Sequence, residues 1–263
     1  MYGWLMAAGG LGFIFLMTTC GAATVFFFRK AGNAALQKIF LGFAAGVMIA
    51  ASVWSLLIPA IEQAEAAGHI GWIPAALGFI GGVAFLLLLD KLTPHLHPAE
   101  NVQEGPPTSA KRTTLLISAV TLHNIPEGMA VGLAFALAAQ QGGDEGLYAS
   151  AIALALGIGI QNFPEGAAVA LPLRQEGLSA GKAFWMGCAS GAVEPVFGCV
   201  TVLLASLIAP AMPWLLAFAA GAMMYVVIEE LIPEAHLGEH SDVGTLGALA
   251  GFLVMMILDV ALG

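Results

Sequence analysis

Residues 113–139 read TTLLISAVTLHNIPEGMAVGLAFALAA. The run has no Lys, Arg or Asp, and it is long enough for a bilayer crossing, which needs about 20 apolar helical residues. Yet His123, Asn124, Pro126 and Glu127 stand at its centre. An ionisable side chain at mid-membrane costs roughly 2.5 kcal/mol or more, so this stretch is a span only if something repays that cost. The next apolar run gives the answer. Residues 159–166 read GIQNFPEG, against TLHNIPEG at 121–128, so the same element (a polar pair, an apolar residue, then Pro-Glu-Gly) occurs in two consecutive runs.

Outward from these two runs, apolar segments at 3–28, 39–61, 73–92, 113–139, 146–172, 183–209, 213–233 and 244–262 predict an all-α membrane protein of about eight transmembrane helices in one bundle. The composition agrees. Only 10% of residues are charged, where a soluble domain has about 25%, and mean hydropathy is +0.91. The eight crossings and their short loops use nearly the whole chain, so residues 1–263 are expected to form a single membrane domain. The first run lacks the basic flank of a signal peptide and reads as the first helix.

The basic residues set the sidedness. Arg29, Lys30 and Lys38 lie between spans 1 and 2, Lys91, Lys111 and Arg112 between spans 3 and 4, and Arg174 and Lys182 between spans 5 and 6. The connections after spans 2, 4 and 6 hold none. The positive-inside rule then places the three basic connections in the cytoplasm and both termini outside it. The longest of the three, about 93–112, carries Pro94, His95, His97, Pro98, Glu100 and Gly105-Pro106-Pro107, and reads as a cytoplasmic loop. A net charge of −9 with so few, scattered basic residues excludes nucleic acid as a partner. Cys20, Cys188 and Cys199 sit in apolar runs without CxxC spacing and read as small packing residues.

The spacing within the repeated element has a physical meaning. His123 and Glu127, like Gln161 and Glu165, are four residues apart and share a helical face. Pro126 and Pro164 lack an amide proton, which releases the carbonyls of Leu122 and Ile160 and predicts kinked helices. Such backbone is tolerated in a membrane only against protein or a water-filled cavity. The two antiparallel spans bring His123 and Gln161 to about 15 Å from the same membrane face, at 1.5 Å per residue. Glu194-Pro195 in the sixth span adds a carboxylate at similar depth. Three carboxylates cannot all ionise at one level in low dielectric without a cation. The nitrogen and oxygen donors, without thiolate, suit borderline divalent ions. The charge count leaves both a mononuclear and a binuclear site open. Binding of such an ion displaces protons, so affinity is expected to fall toward acid pH.

At these residues the chain resembles the ZIP (Zrt/Irt-like protein) family of metal transporters, nearest its prokaryotic GufA-like and zinc-uptake branch. The resemblance covers essentially the whole chain, with HNIPEG and QNFPEG its most specific part. It implies a transporter importing divalent metal, zinc first and also Cd²⁺, Fe²⁺, Mn²⁺ or Co²⁺, through a site between helices 4 and 5 with helix 6 contributing. By the same resemblance His123, Glu127, Gln161 and Glu165 ligate one ion, and Asn124, Asn162 and Glu194 serve a second, with Glu127 and Glu165 bridging. Many members have histidine where this chain has Gln161 and Glu165, and some have aspartate where it has Asn162. The site here is therefore harder and one charge poorer. The seventh-span run Glu229-Glu230-Leu231-Ile232-Pro233-Glu234-Ala235-His236 also resembles the family. Glu230, Glu234 and His236, with Asp90, His95, His97 and His240, form a candidate cytoplasmic exit. Glu62 and Asp259 are candidates for the outer approach.

The Met223-Met224 pair reads as packing. The composition places the protein in a lipid bilayer, and the short loops with the branch it resembles imply a bacterial inner membrane, with a homodimer as a candidate assembly and no cofactor beyond the transported ion. A membrane-embedded hydrolase is the chief competing class, but there is no HExxH, no nucleophile beside a base and one histidine in the membrane core.

Overall fold

The computed structural model describes residues 2–28, 34–97, 102–104, 106, 112–236 and 242–262. The chain is helical almost throughout. Helix α1 covers Gly3–Phe26, α2 Ala35–Ala66, α3 Trp72–Leu92, α4 Arg112–Gln140, α5 Glu145–Gln175, α6 Ala180–Leu203, α7 Ala205–Ala235 and α8 Val243–Leu262. All but α4 are long and apolar enough to cross a membrane. Helix α4 has the length, at 29 residues, but its polar motif interrupts the apolar run. Leu77, Ile80 and Leu88 on α3, and Leu246, Leu249 and Ile257 on α8, are exposed, as surfaces facing lipid tails require.

The observed helices differ from the expected spans at their ends. The second span extends to Ala66, because the polar turn 62–66 continues the helix beyond its apolar core, and the seventh begins at Ala205, taking in apolar residues expected in the sixth. The sixth span, expected to reach 209, stops at Leu203; Pro210 and Pro213 follow, and a tight 3₁₀ turn fills Ala209–Ala211. Helix α6 is also interrupted at Ala192, just before Glu194-Pro195. Both α4 and α5 continue unbroken through Pro126 and Pro164.

Local signals end and start the helices. Gly142 and Gly143, with φ of +75° and +83°, turn the chain from α4 into α5 where side chains are disfavoured. Asp144 then caps α5 by accepting from the Leu147 amide at 2.9 Å. Between α3 and α4 a short antiparallel hairpin pairs β1 (His95–His97) with β2 (Val102–Glu104), setting His95 opposite Glu104. Two helices widen into a π-helical turn, α2 at Ser52–Leu57 and α7 at Val227–Leu231. Each is followed by Ile-Pro, Ile58-Pro59 and Ile232-Pro233.

The helices associate most closely in four pairs, α2 with α8, α3 with α7, α1 with α5 and α4 with α6. Each pair is seamed by glycines that meet backbone. A Cβ at Gly46 would collide with the carbonyl of Ala248, one at Gly82 with that of Phe218, one at Gly21 with that of Phe163 and one at Gly132 with that of Gly198. Small residues let helices approach this closely in lipid. Further glycine contacts join α1 to α4 and α6, so α1, α4, α5 and α6 form one group. Helices α2, α3, α7 and α8 form the other, joined by α7 against α2 and by Gly244 of α8 against Ala235 of α7.

Of the cysteines, Cys188 is buried, whereas Cys20 and Cys199 lie on the exposed surface; all three are free. Packing therefore accounts for Cys188 alone. Met223 is fully buried, as the packing reading requires.

Candidate metal centre

The two repeated motifs face each other across α4 and α5. Gln161 Nε2 donates to Glu127 Oε1 at 2.6 Å. In the reverse sense, the Asn124 amide lies beside the Glu165 carboxyl. Each motif thus lends an amide to the other's carboxylate. Asn162 and Glu194 meet as well, with Asn162 Nδ2 donating to Glu194 Oε2 at 2.8 Å and to the Ile14 carbonyl at 3.4 Å. Asn124 Nδ2 also reaches the Ser190 carbonyl at 3.1 Å. That carbonyl lies where the helical ladder of α6 is about to break at Ala192.

Burial is nearly complete. Asn124, Asn162 and Glu194 are 0% exposed, Gln161 1% and Glu127 2%. Glu165 and His123 are half-buried. Glu127, Glu165 and Glu194 lie close enough to repel one another. The oxygens left over form a pattern. Asn124 Oδ1, Glu127 Oε2, Gln161 Oε1, Asn162 Oδ1 and Glu165 Oε1 are buried acceptors without a hydrogen-bond donor. A buried acceptor left unmade costs about 1–3 kcal/mol. All five belong to the residues singled out from sequence, and what acceptors lacking donors call for is a cation.

Among the described residues, no three His, Cys, Asp or Glu side chains converge as a ready-made metal cage. Amides occupy several of the positions here, and His123 is turned elsewhere. Its Nε2 is paired with Glu230 Oε1 of α7. Glu230, one of the exit candidates, therefore reaches the first motif from the π-helical turn of α7 that carries it. Glu229 beside it is exposed.

The other candidates are spread toward the ends of the bundle. Asp90, at the end of α3, is buried and accepts from the Tyr225 hydroxyl at 3.3 Å. Glu234 lies half-buried one turn past Glu230. His95 and His97 are in β1 and His236 ends α7; the side chains of these three are outside those described. His240, Glu100, Arg29, Lys30 and Lys111 lie outside the described residues. Asp259 of α8 is buried and accepts from Ser55 Oγ of the α2 π turn at 2.7 Å. Its Oδ2 and Ser52 Oγ have no hydrogen-bond partner. Glu62 is exposed near the end of α2.

Sequence reasoning missed Thr18, Ser52, Ser55 and Tyr225. Thr18 of α1 donates to Glu194 Oε1 at 3.2 Å. Hydroxyls are common in membrane helices because they can return to their own backbone, so they carry little signal. The one cue at Thr18 was a polar pair, Thr18-Thr19, within an apolar run.

Long apolar helices around a buried, acceptor-rich interior define an integral membrane protein with a polar centre. A profile of the ZIP zinc transporter family matches residues 99–259. Zinc transporter ZIP11 of Homo sapiens is 39% identical, the alignment covering 97% of this chain and 96% of that protein. Zinc transporter ZIPB of Bordetella bronchiseptica is 40% identical over 99% of this chain and 82% of its own length. Zinc transporter GufA of Myxococcus xanthus is also 40% identical, over 80% and 81%. The chain belongs to the ZIP zinc transporter family.

Proposed function

We propose that this protein carries zinc and related divalent ions (Cd²⁺, Fe²⁺, Mn²⁺, Co²⁺) into the cytoplasm through a site formed by His123, Asn124, Glu127, Gln161, Asn162, Glu165 and Glu194. The observation that carries the reading is the set of five donorless buried oxygens, contributed by five of those seven residues. A divalent ion bound among them satisfies acceptors that no protein donor reaches. The names of the relatives support zinc as the first candidate.

In this reading the chain is one membrane domain with eight crossings and both ends outside, as its loop charges require. Metal approaches past Asp259, Ser55 and Ser52. An arriving ion takes the amide oxygens of Gln161 and Asn162 and the carboxylates they hydrogen-bond, so those hydrogen bonds give way to coordination. His123 leaves Glu230 to ligate the ion. Glu230 is then free to receive it on the cytoplasmic side and pass it to Glu234, Asp90, His236 and the hairpin histidines His95 and His97. Because ligation displaces protons, binding weakens as pH falls.

Uptake of Zn²⁺ and Cd²⁺ into proteoliposomes tests this. Wild-type protein is expected to accumulate both, and the Glu127→Ala, Glu165→Ala protein neither. A folded double mutant transporting at the wild-type rate would overturn the site.

A further inference from the structure

Thr18 is 1% exposed and lies outside both motifs. Its hydroxyl is 3.2 Å from Glu194 Oε1 and 3.3 Å from the Ile14 carbonyl, with one proton to give. The Ile14 carbonyl also receives Asn162 Nδ2, whose second proton goes to Glu194 Oε2. A carboxylate accepts more strongly than a neutral carbonyl, so the Thr18 proton serves Glu194. The two oxygens of Glu194 are thus held from two helices, Oε1 from α1 and Oε2 from α5.

The backbone enforces this arrangement. A Cβ at Gly128 would collide with the carbonyl and Cα of Glu194, and a Cβ at Gly166 with the carbonyl of Thr18. The glycine of each Pro-Glu-Gly therefore seats a neighbouring helix, α4 seating the segment that bears Glu194 and α5 the segment that bears Thr18. A Cβ at Gly191 would lie 2.7 Å from Thr18 Cγ2, so the Thr18 side chain packs against α6 while its carbonyl faces Gly166 of α5. The residues seated by the two glycines are the two that hydrogen-bond to each other.

We propose that Thr18 is a positioning residue for metal binding: it fixes Glu194 Oε1 so that Oε2 is the atom presented to the ion. The inference rests on the cation-site reading above. When an ion takes Oε2, Asn162 turns its donorless Oδ1 toward it and Thr18 keeps Oε1. Donors behind a metal ligand commonly contribute about 10–100-fold in affinity.

Equilibrium dialysis of the purified full chain against Cd²⁺, with bound metal measured directly, tests this. Glu194→Gln is expected to remove one component of binding. Thr18→Val, which keeps the shape and removes the donor, is expected to weaken that component by about 10–100-fold and spare the rest. Thr18→Ser, which returns the donor, is expected to restore it. A wild-type curve for Thr18→Val overturns the proposal, and so does Thr18→Ser matching Thr18→Val, which makes the residue mere packing. An unchanged curve for Glu194→Gln also overturns it, while loss of binding in Glu127→Ala, Glu165→Ala leaves the site standing. A wild type that binds no divalent ion overturns the site and this inference together.

Discussion

The two groups of helices carry different kinds of polar residue. All seven ligand candidates of the centre, and Thr18 behind them, lie on α1, α4, α5 and α6. On α2, α3, α7 and α8 lie Ser52, Ser55, Asp90, Tyr225, Glu230, Glu234 and Asp259. The seams differ likewise. Within each group, several glycines meet the backbone of a neighbouring helix, among them Gly21, Gly128 and Gly166 in one and Gly46, Gly82 and Gly251 in the other, beside others that meet side chains. Between groups, the one crowded glycine among those described is Gly157 of α5, and it meets side chains, Met255 Sδ and Val47 Cγ1. Backbone contacts cannot yield, whereas a methionine side chain can. In the reading proposed above, this places the ligand candidates in one group and the approach and departure candidates in the other, with a more compliant face between them. That arrangement suits alternating access by movement of one group against the other.

Substitutions on each side of this boundary separate the roles. The largest effect is expected from Glu127→Ala, which removes a proposed ligand; both equilibrium Cd²⁺ binding and uptake should be lost. Glu230→Gln on the other group should instead leave binding in place and slow uptake by about tenfold, the scale of an outer partner of a metal-ligating histidine. Equal losses of binding in the two variants would erase the distinction.

The seams come next. Gly166→Ala forces a methyl onto the Thr18 carbonyl and should cost about 1–3 kcal/mol, read as a lowered thermal midpoint. Gly157→Ala pushes only on Met255 and Val47, so it should alter the uptake rate more than the midpoint. The reverse order would contradict a compliant face between groups. The smallest effect is expected from Asp259→Asn, which weakens attraction at the outer approach. It should raise KM for uptake several-fold with little change in kcat, and a fall in kcat alone would remove Asp259 from the path.

Much of this architecture was legible in the sequence, for a physical reason. In lipid every charged or amide side chain is an anomaly, so His123, Glu127, Gln161 and Glu165 announced themselves, and their repetition fixed which helices had to meet. The same logic placed Glu194, whose neighbouring Pro195 marked a disturbed backbone. What stayed hidden lacked that contrast. Thr18, Ser52 and Ser55 are residue types that membrane helices tolerate anywhere. The pairing of His123 with Glu230 depended on a π turn, and a π turn has no reliable composition of its own. The pairing itself joins residues of two different spans, and nothing in either stretch alone marks the other as its partner. The break at Ala192 falls where Pro195, lacking an amide proton, leaves the Gly191 carbonyl without its helical partner, so only its exact place was hidden.

The π turn of α7 has a consequence for descent as well as for transport. Such a turn is a helix with one residue too many, the trace that a single-codon insertion leaves. Removing that residue would rotate everything beyond it by about 100° relative to what precedes it. The buried Glu230 and the exposed Glu229 stand side by side at this point. A lineage that lost one residue just upstream would set Leu231 in the place of Glu230, and His123 would lose its carboxylate partner without any substitution at either position.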